Sequence, residues 1–567
     1  MAAGIMAVLF LLLAGRLIQL QGFQSHTYAK MAEQQRTRTV AQQATRGELT
    51  DRDGNVLAAD VAANDIYVQP AKVTDAVGEA TKLAAVLKLG VPVILAKLIQ
   101  NTTFSYLAHD VDTSVGEQIT KLNLPGIGTE ATSKRLYPTG ALAANVLGTV
   151  GRDNNGLAGL ESAYNSSLAG QKGTLVVEED PQGRTIPSGT HRGKDPVPGE
   201  GLKLTLNRDI QFDAEKVLAD SVRSTGAIKG VAIVLNPKTG EIYAMAQSPT
   251  FDPNKPEAVT ANDLINQDVA WSFEPGSVNK LITVSAAVDR GIVNPLTSVA
   301  IPATDGSHTG IQVDDKVIHD AEAHPAENLT VAGVIAQSSN MGTLEISRQL
   351  PSRQSLEDEL RAFGLGSLTG VGLPGESAGL LKKSKDWSNT MAATIPYGQS
   401  MTTTPLQIAM AYATIADGGV RVTPKIIKGT IKGDGKVEPT PAGPSERVVS
   451  AQTAKTMTDL LEQVTGGGGT ATAAAIPGYR IAGKTGTALR IDPATGKYNG
   501  YVATFVGFAP ADQPSLVVLV SLDKPQGDIF GGTTAAPAFQ KIMSFALTSL
   551  RIPPTGTKPT PYKLTLP

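Results

Sequence analysis

Cysteine is absent from the 567-residue chain. That excludes disulfides, cysteine nucleophiles and zinc–thiolate sites, and leaves the compartment open. Histidine is scarce, at six residues: His26, His109, His191, His308, His319 and His324. None forms a His-Glu-x-x-His pair, so helix-borne zinc hydrolysis is excluded. His308, His319 and His324 share a polar stretch with Asp314, Asp315 and Asp320. A solvated loop accounts for that stretch better than a metal cluster, so neither a metal nor a cofactor is expected. A Ser-His-Asp hydrolase needs a nucleophile elbow on a strand-to-helix turn. No such elbow is expected here, so a reactive serine must use a base other than histidine. Charge of one sign is also lacking. A net charge of −2 carries no electrostatic footprint for nucleic acid.

What is present is the composition of a globular chain of a few domains, 41% hydrophobic and 18% charged. Fifty-eight glycines and thirty-five prolines imply many turns and a β-containing fold. The opening run AAGIMAVLFLLLAG is apolar up to Arg16. It reaches the roughly 20 residues of a spanning helix if Arg16 snorkels and Leu17, Ile18 and Leu20 continue it. No Lys or Arg precedes Arg16. A cleaved signal peptide would want a basic leader, so an uncleaved anchor is favoured, with the rest of the chain extracytoplasmic. The positive-inside rule has nothing to count there, as expected of a chain that starts downstream of a fuller cytoplasmic tail.

The organisation expected from these patterns is an anchor over 1–20, an N-terminal pedestal over 21–200, a catalytic domain over 201–548 and a tail over 549–567. In the pedestal, KLAAVLKLG and VILAKLIQ have helical spacing and read as packing faces. GKDPVPGEG at 193–201 reads as a linker. LKLTLN alternates as a strand, IQFDAEKVLADSV is helical, and residues 230–248 read as a hairpin about Pro237 and Gly240. Two more strands are expected in YVATFVGFAP and SLVVLVSLD. Strands at both ends with helices between point to an α/β domain whose sheet joins its first and last segments. The tail RIPPTGTKPTPYKLTLP is expected to be extended and poorly packed.

Three short motifs carry chemistry, and each has a decoy. Ser-x-x-Lys occurs at Ser277/Lys280 and at Ser521/Lys524. The first precedes an apolar stripe of helical period (Val278, Leu281, Ile282, Ser285, Val288) that closes near Gly291. Spacing of i to i+3 places Ser277 and Lys280 on one face, at a helix start where free N–H groups favour negative charge. A plain serine cap is the competing account. The second copy follows a strand and precedes Pro525, so its two residues are not a helical turn apart. Ser-x-Asn occurs at Ser277–Asn279, where Asn279 reads as an ordinary helix position, and at Ser338–Asn340. Lys-Thr-Gly occurs in the hairpin turn at 238–240 and at 484–486, where Thr487 adds a hydroxyl. Residues 478–485 also match the phosphate-loop pattern. That pattern needs a helix opening at Lys484-Thr485, whereas Gly486 follows and Pro493 comes soon after.

Ser277-x-x-Lys280, Ser338-x-Asn340 and Lys484-Thr485-Gly486, in that order, resemble the signature of penicillin-binding proteins and serine β-lactamases. RGELTDRDGNVLA, RLYPTG and GLAGLE resemble the N-terminal motifs of the class B, monofunctional members. FEPGSVNK, VGLPGE and TTTPLQIAMAYATIADGG are similar to their transpeptidase domain. The resemblance covers nearly the whole chain and is greatest to the septal, FtsI-type division enzymes of actinobacteria. It implies an N-terminal membrane helix, a mixed α+β pedestal of dimerisation type, and a C-terminal domain with a central antiparallel sheet flanked by helices. It further implies D,D-transpeptidation of peptidoglycan stem peptides and covalent capture of β-lactams. The location implied is the cytoplasmic membrane, crossed once. The implied partners are an FtsW-type glycosyltransferase and other division proteins. Under that resemblance Ser277 is the nucleophile, Lys280 its base, Ser338 a proton relay, and Asn340 the holder of Lys280 and the substrate amide. Lys484, Thr485, Gly486 and Thr487 flank the substrate carboxylate and oxyanion. Burial and the charge of Lys484 are expected to lower the pKa of Lys280. A catalytically silent divisome scaffold and an elongation-type enzyme are the alternatives.

Overall fold

The computed structural model describes residues 1–178, 186, 192–492 and 494–567, so His191 and Pro493 lie outside the described residues. The chain divides into two compact units, and both are discontinuous. The first comprises Met1–Gly47, Asp60–Lys134 and Ser166–Glu200; the second comprises Glu48–Ala59, Arg135–Asn165 and Gly201–Pro567. Segments 48–59 and 135–165, which precede the catalytic domain in sequence, therefore pack with it. Their hydrogen bonds explain why. Leu49–Thr50 pairs in parallel with Gly201–Leu204, Arg135 donates to Glu161 at 2.8 Å with both side chains buried, and the Ala143 N–H donates to Glu215 at 2.7 Å.

The first unit begins with an apolar helix. Ala2–Phe23 runs 22 residues with none buried, long enough to cross a bilayer core at about 1.5 Å per residue. Arg16 donates to Gln19 at 2.8 Å and does not interrupt the helix. The expected packing faces are the helices Ala76–Leu87 and Val91–Leu98. Leu83, Ile94 and Leu98 point into a core shared with Ile66, Val68, Leu107 and Ile119. A separate antiparallel sheet pairs Thr37–Gln42 with Gly173–Glu178, which in turn pairs with Arg192–Lys194.

The second unit is built on five antiparallel strands: β1 (Lys229–Leu235), β2 (Ile242–Ser248), β3 (Ala482–Ile491), β4 (Tyr498–Ala509) and β5 (Leu516–Asp523). Their order is β2-β1-β5-β4-β3, so the first and last segments of the domain do share one sheet. β5 is buried along its full length. A strand covered on both faces reads as a continuous apolar run and not as an alternation, which is the pattern of LVVLV and VAIVL. Around the sheet lie α1 (Arg208–Thr225), α2 (Lys280–Asp289), α3 (Val331–Ala336), α4 (Asn340–Arg348), α5 (Pro405–Ala416), α6 (Ala451–Thr465) and α7 (Ala536–Ser549). Helices α1 and α7 pack on each other and on the sheet, while α5 covers β4 and β5.

The stretch after α7 departs from expectation. It is extended, but Thr565–Leu566 pairs antiparallel with the strand Glu327–Thr330, so it is not poorly packed.

Helix α5 lies wholly inside the unit and starts with a capping box. Thr404 Oγ1 accepts from Gln407 N at 3.2 Å, and Gln407 Oε1 accepts from Thr404 N at 2.8 Å. Both side chains are buried, so water cannot replace the lost partner. Thr404→Ala should lower stability by about 1 kcal/mol, read as a fall in the urea midpoint at constant m value. An unmoved midpoint would show that the cap contributes nothing.

Candidate active site

The turn before α2 presents Ser277. Gly276 sits at φ +59°, in the left-handed region that favours glycine. A Cβ there would also approach Ala488 Cβ to 3.0 Å. Gly276–Asn279 is a 3-10 turn and α2 proper begins at Lys280, so the i to i+3 frame is tighter than α-helical at this point. Ser277 is half-buried, whereas Val278, Asn279 and Lys280 are fully buried. Two ties hold the turn: Tyr412 of α5 donates to the Val278 carbonyl at 3.0 Å, and Asn279 Nδ2 donates to the Ile395 carbonyl at 2.9 Å. Asn279 is therefore a structural anchor and more than an ordinary helix position.

Lys280 reaches the second motif. Its Nζ donates to the Ser338 carbonyl and, at 3.2 Å, to Ser338 Oγ. Ser338 sits at φ +62°, an uncommon conformation for a residue with a Cβ, in the turn between α3 and α4. Burial removes Lys280 from water and lowers its pKa to about 7, against an opposing pull from the Asp320 carboxylate. Asn340 Nδ2 donates to the His319 carbonyl at 3.0 Å. Among the described residues no hydrogen bond joins Asn340 to Lys280, so the expectation that Asn340 holds Lys280 is not met.

Asp320 is the residue that motif reasoning missed. Its Oδ1 accepts from the backbone N–H groups of Asn340 and, at 3.0 Å, Met341; its Oδ2 accepts from Ser339 Oγ at 2.6 Å. His324 Nε2 lies 3.3 Å from the same oxygen. A carboxylate at the start of α4 satisfies donors that the helix leaves free and is favoured by its dipole. The spacing from Asp320 to Asn340 gave no signal, since the two meet only through the fold.

The third motif lies within β3. Lys484 is fully buried, with Nζ 3.2 Å from Thr485 Oγ1 and 3.3 Å from the Thr485 carbonyl. Burial, and then the charge of Lys280, hold its pKa well below the usual lysine range. The repulsion expected between the two lysines thus registers on Lys484. Thr485 Oγ1 shares a hydrogen bond with Thr470 Oγ1 at 2.9 Å, and Thr487 Oγ1 accepts from Gly531 N at 3.3 Å. Gly486 lets the strand lie against the Ser277 turn: a Cβ there would come within 3.1 Å of Val278 Cγ1 and 3.2 Å of the Pro275 carbonyl. Because β3 runs on to Ile491, no helix opens at Lys484-Thr485 and the phosphate-loop match carries no structure.

These groups converge on a cleft of about 530 Å³ lined by Ser277, Ser338, Asn340, Thr485 and Thr487, with Lys280 and Lys484 buried beneath. Gly468, Gly469 and Thr470 form part of its wall, so the glycine run at 466–469 is a lining element as well as a turn. The decoys lie elsewhere. Ser521 is buried in β5 against Thr504 Oγ1 at 2.9 Å, and Lys238–Gly240 occupy the β1–β2 turn. A Gly-x-Ser-x-Gly string at 375–379 lies in a loop with Ser377 Oγ 2.8 Å from Ser272 Oγ, so it is not an elbow.

Residues 230–544 match the family model of the penicillin binding protein transpeptidase domain, and residues 41–204 match that of the penicillin-binding protein dimerisation domain. Among curated proteins, the chain is 37% identical to penicillin-binding protein PbpB of Mycobacterium tuberculosis, covering 97% of this chain and 84% of that protein. It is 34% identical to the peptidoglycan D,D-transpeptidase FtsI of Escherichia coli, covering 98% and 92%. Among solved structures, penicillin binding protein 3 of M. tuberculosis complexed with aztreonam superposes with a TM-score of 0.72 at 34% identity, covering 93% of this chain and all of that one.

The titration of Lys280 tests the electrostatics directly. Its ¹³Cε shift should report a midpoint at about 7. Asp320 favours the ammonium form, so Asp320→Asn should move that midpoint to lower pH. A midpoint near 10.4, the value of a free lysine, or an upward move in the variant, would contradict the burial described.

Proposed function

The chain belongs to the class B penicillin-binding proteins, and on that footing we propose that it is a D,D-transpeptidase that cross-links peptidoglycan stem peptides at the division septum. The observation that carries the proposal is Lys280: a buried amine with pKa about 7, one turn after Ser277 and bonded to Ser338. A free lysine is neutral in only about one molecule in a few thousand at pH 7, while one at pKa about 7 is neutral in about half.

In the proposed reaction, neutral Lys280 takes the proton of Ser277 Oγ as that oxygen attacks the penultimate D-alanine carbonyl. The backbone N–H groups of Ser277 and Thr487 hold the developing oxyanion, a role worth about 3–4 kcal/mol per donor in enzymes that use one. The C–N bond then breaks, and the leaving amine of the terminal D-alanine receives the proton through Ser338. In the second half, the acceptor amine attacks the Ser277 ester and loses a proton to Lys280, the C–Oγ bond breaks, and Lys280 returns that proton to the departing Ser277 Oγ, leaving an amide cross-link, a free serine and a neutral Lys280. Lys484, Thr485 and Thr487 bind the terminal carboxylate, Asn340 holds the substrate amide, and Gly486 keeps the strand close to the nucleophile turn. A β-lactam presents a strained amide and a carboxylate to the same groups and acylates Ser277. The apolar helix Ala2–Phe23 is proposed to anchor the chain in the cytoplasmic membrane with the catalytic unit outside, beside an FtsW-type glycosyltransferase and other division proteins.

Fluorescent penicillin should label the full-length protein once, with the adduct mapping to Ser277. Ser277→Ala should abolish labelling, and Lys280→Ala should slow it by about 10²–10⁴-fold. An adduct elsewhere, or none, would falsify the transpeptidase reading and leave a silent scaffold. Depletion in cells should give filaments if the enzyme acts at the septum; rounded cells would place it in the lateral wall.

A further inference from the structure

Gly333 lies in the middle of α3, a place where glycine is the costliest residue short of proline. Its reason is a close approach: a Cβ there would lie 2.0 Å from the Leu564 carbonyl oxygen. Thr330, just before α3, is engaged on both sides. Its Oγ1 accepts from Gly333 N at 3.0 Å as the helix cap and donates to the Lys563 carbonyl at 2.7 Å. Its N–H donates to the Leu564 carbonyl at 2.9 Å. Beyond it, Tyr562, Leu564 and Leu566 are half-buried while Pro561, Lys563 and Thr565 are exposed, the alternation of a strand laid on a surface.

The same segment touches the opposite wall of the cleft. Gln463, near the end of α6, donates to the Thr560 carbonyl at 2.9 Å. Leu564 Cδ1 lies 3.5 Å from where a Cβ of Gly468 would be. Gly468 lines the cleft with Thr470, which is bonded to Thr485. Upstream, Thr555 and Thr557 donate to Asp512 at 3.0 and 2.5 Å, and Tyr479 donates to the Ile552 carbonyl at 2.6 Å. One extended segment is therefore tied to the sheet end, to α6 and to α3 in succession.

We propose that residues 552–567 are a strap that sets the geometry of the catalytic cleft. It holds α3, and with it Ser338, in register with the 466–470 turn that supports Thr485, without itself touching substrate. Thr330 and Gly333 are its seat, and both are positioning residues. The inference rests on the reading that Ser277 is acylated.

The test uses the full-length protein in detergent micelles, with and without residues 561–567, and each form with and without Gly333→Ala. The readouts are the second-order rate of acylation by fluorescent penicillin and the label bound at saturation. Removal of 561–567 should slow acylation about tenfold while saturation stays at one label per chain. Gly333→Ala should cause a similar loss by expelling the Leu564 carbonyl. It should cause no further loss in the shortened chain, where the seat is already empty. Rates within about twofold of the parent, even with a lowered melting temperature, would overturn the strap, as would losses that add when combined. If the shortened chain does not fold, Gly333→Ala alone decides, with its fold checked by circular dichroism. A parent that takes no label would instead sink the transpeptidase reading.

Discussion

Two lysine side chains share one buried site, and the rest of the second unit is arranged around that constraint. Lys280 and Lys484 are both fully buried. An isolated buried ammonium ion costs several kcal/mol even after relaxation, and two of them near one another repel as well. Burial lowers the pKa of both amines, and among the described residues each has neutral partners at hydrogen-bond distance: Ser338 for one, Thr485 for the other. The one nearby carboxylate that acts on Lys280, Asp320, is occupied by backbone and hydroxyl donors of α4. It therefore tempers the shift without forming an ion pair. A direct salt bridge at that position would have favoured the charged form of Lys280.

Burying the amines requires that three stretches, far apart in sequence, close on one another with little space to spare. The Ser277 turn is held by β3, where Gly486 permits contact, and by Tyr412 and Ile395. The Ser338 turn takes a left-handed conformation to deliver both its carbonyl and its hydroxyl to one amine. Such strain persists only where the surroundings over-determine it, and α3, α4 and Asp320 supply that surrounding. Close packing makes these positions interdependent, since a core packed to crystal-like density transmits a shift and does not absorb it.

Much of this was legible in sequence because it is local. The Ser277 frame, the order of the three motifs, the 230–248 hairpin and the two late strands follow from spacing and period within a few residues. What was not legible depends on contacts that spacing does not encode. Asp320 reaches Asn340 across a strand and a helix, and Thr470 reaches Thr485 across a loop, while Leu564 reaches Gly333 across more than two hundred residues. Segments 48–59 and 135–165 precede residue 201, and their pairings, such as Leu49 with Leu202 and Ala143 with Glu215, join residues that spacing does not relate. In the tail, prolines and threonines carry no strong pattern, and only the half-buried Tyr562, Leu564 and Leu566 mark the face that meets the strand Glu327–Thr330.

The strand order of the sheet also dictates a sequence of events during synthesis. The β1–β2 hairpin is complete by residue 248, yet the neighbour of β1 on its other side is β5, which begins at residue 516. Until the intervening chain has emerged, an apolar strand stands with an unpaired edge, the kind of surface that templates aggregation. Long-range pairing of this sort is slow because the loop must close before the contact rewards it. The nascent domain thus passes through a stage in which β1, an interior strand of the finished sheet, has one edge open until β5 arrives.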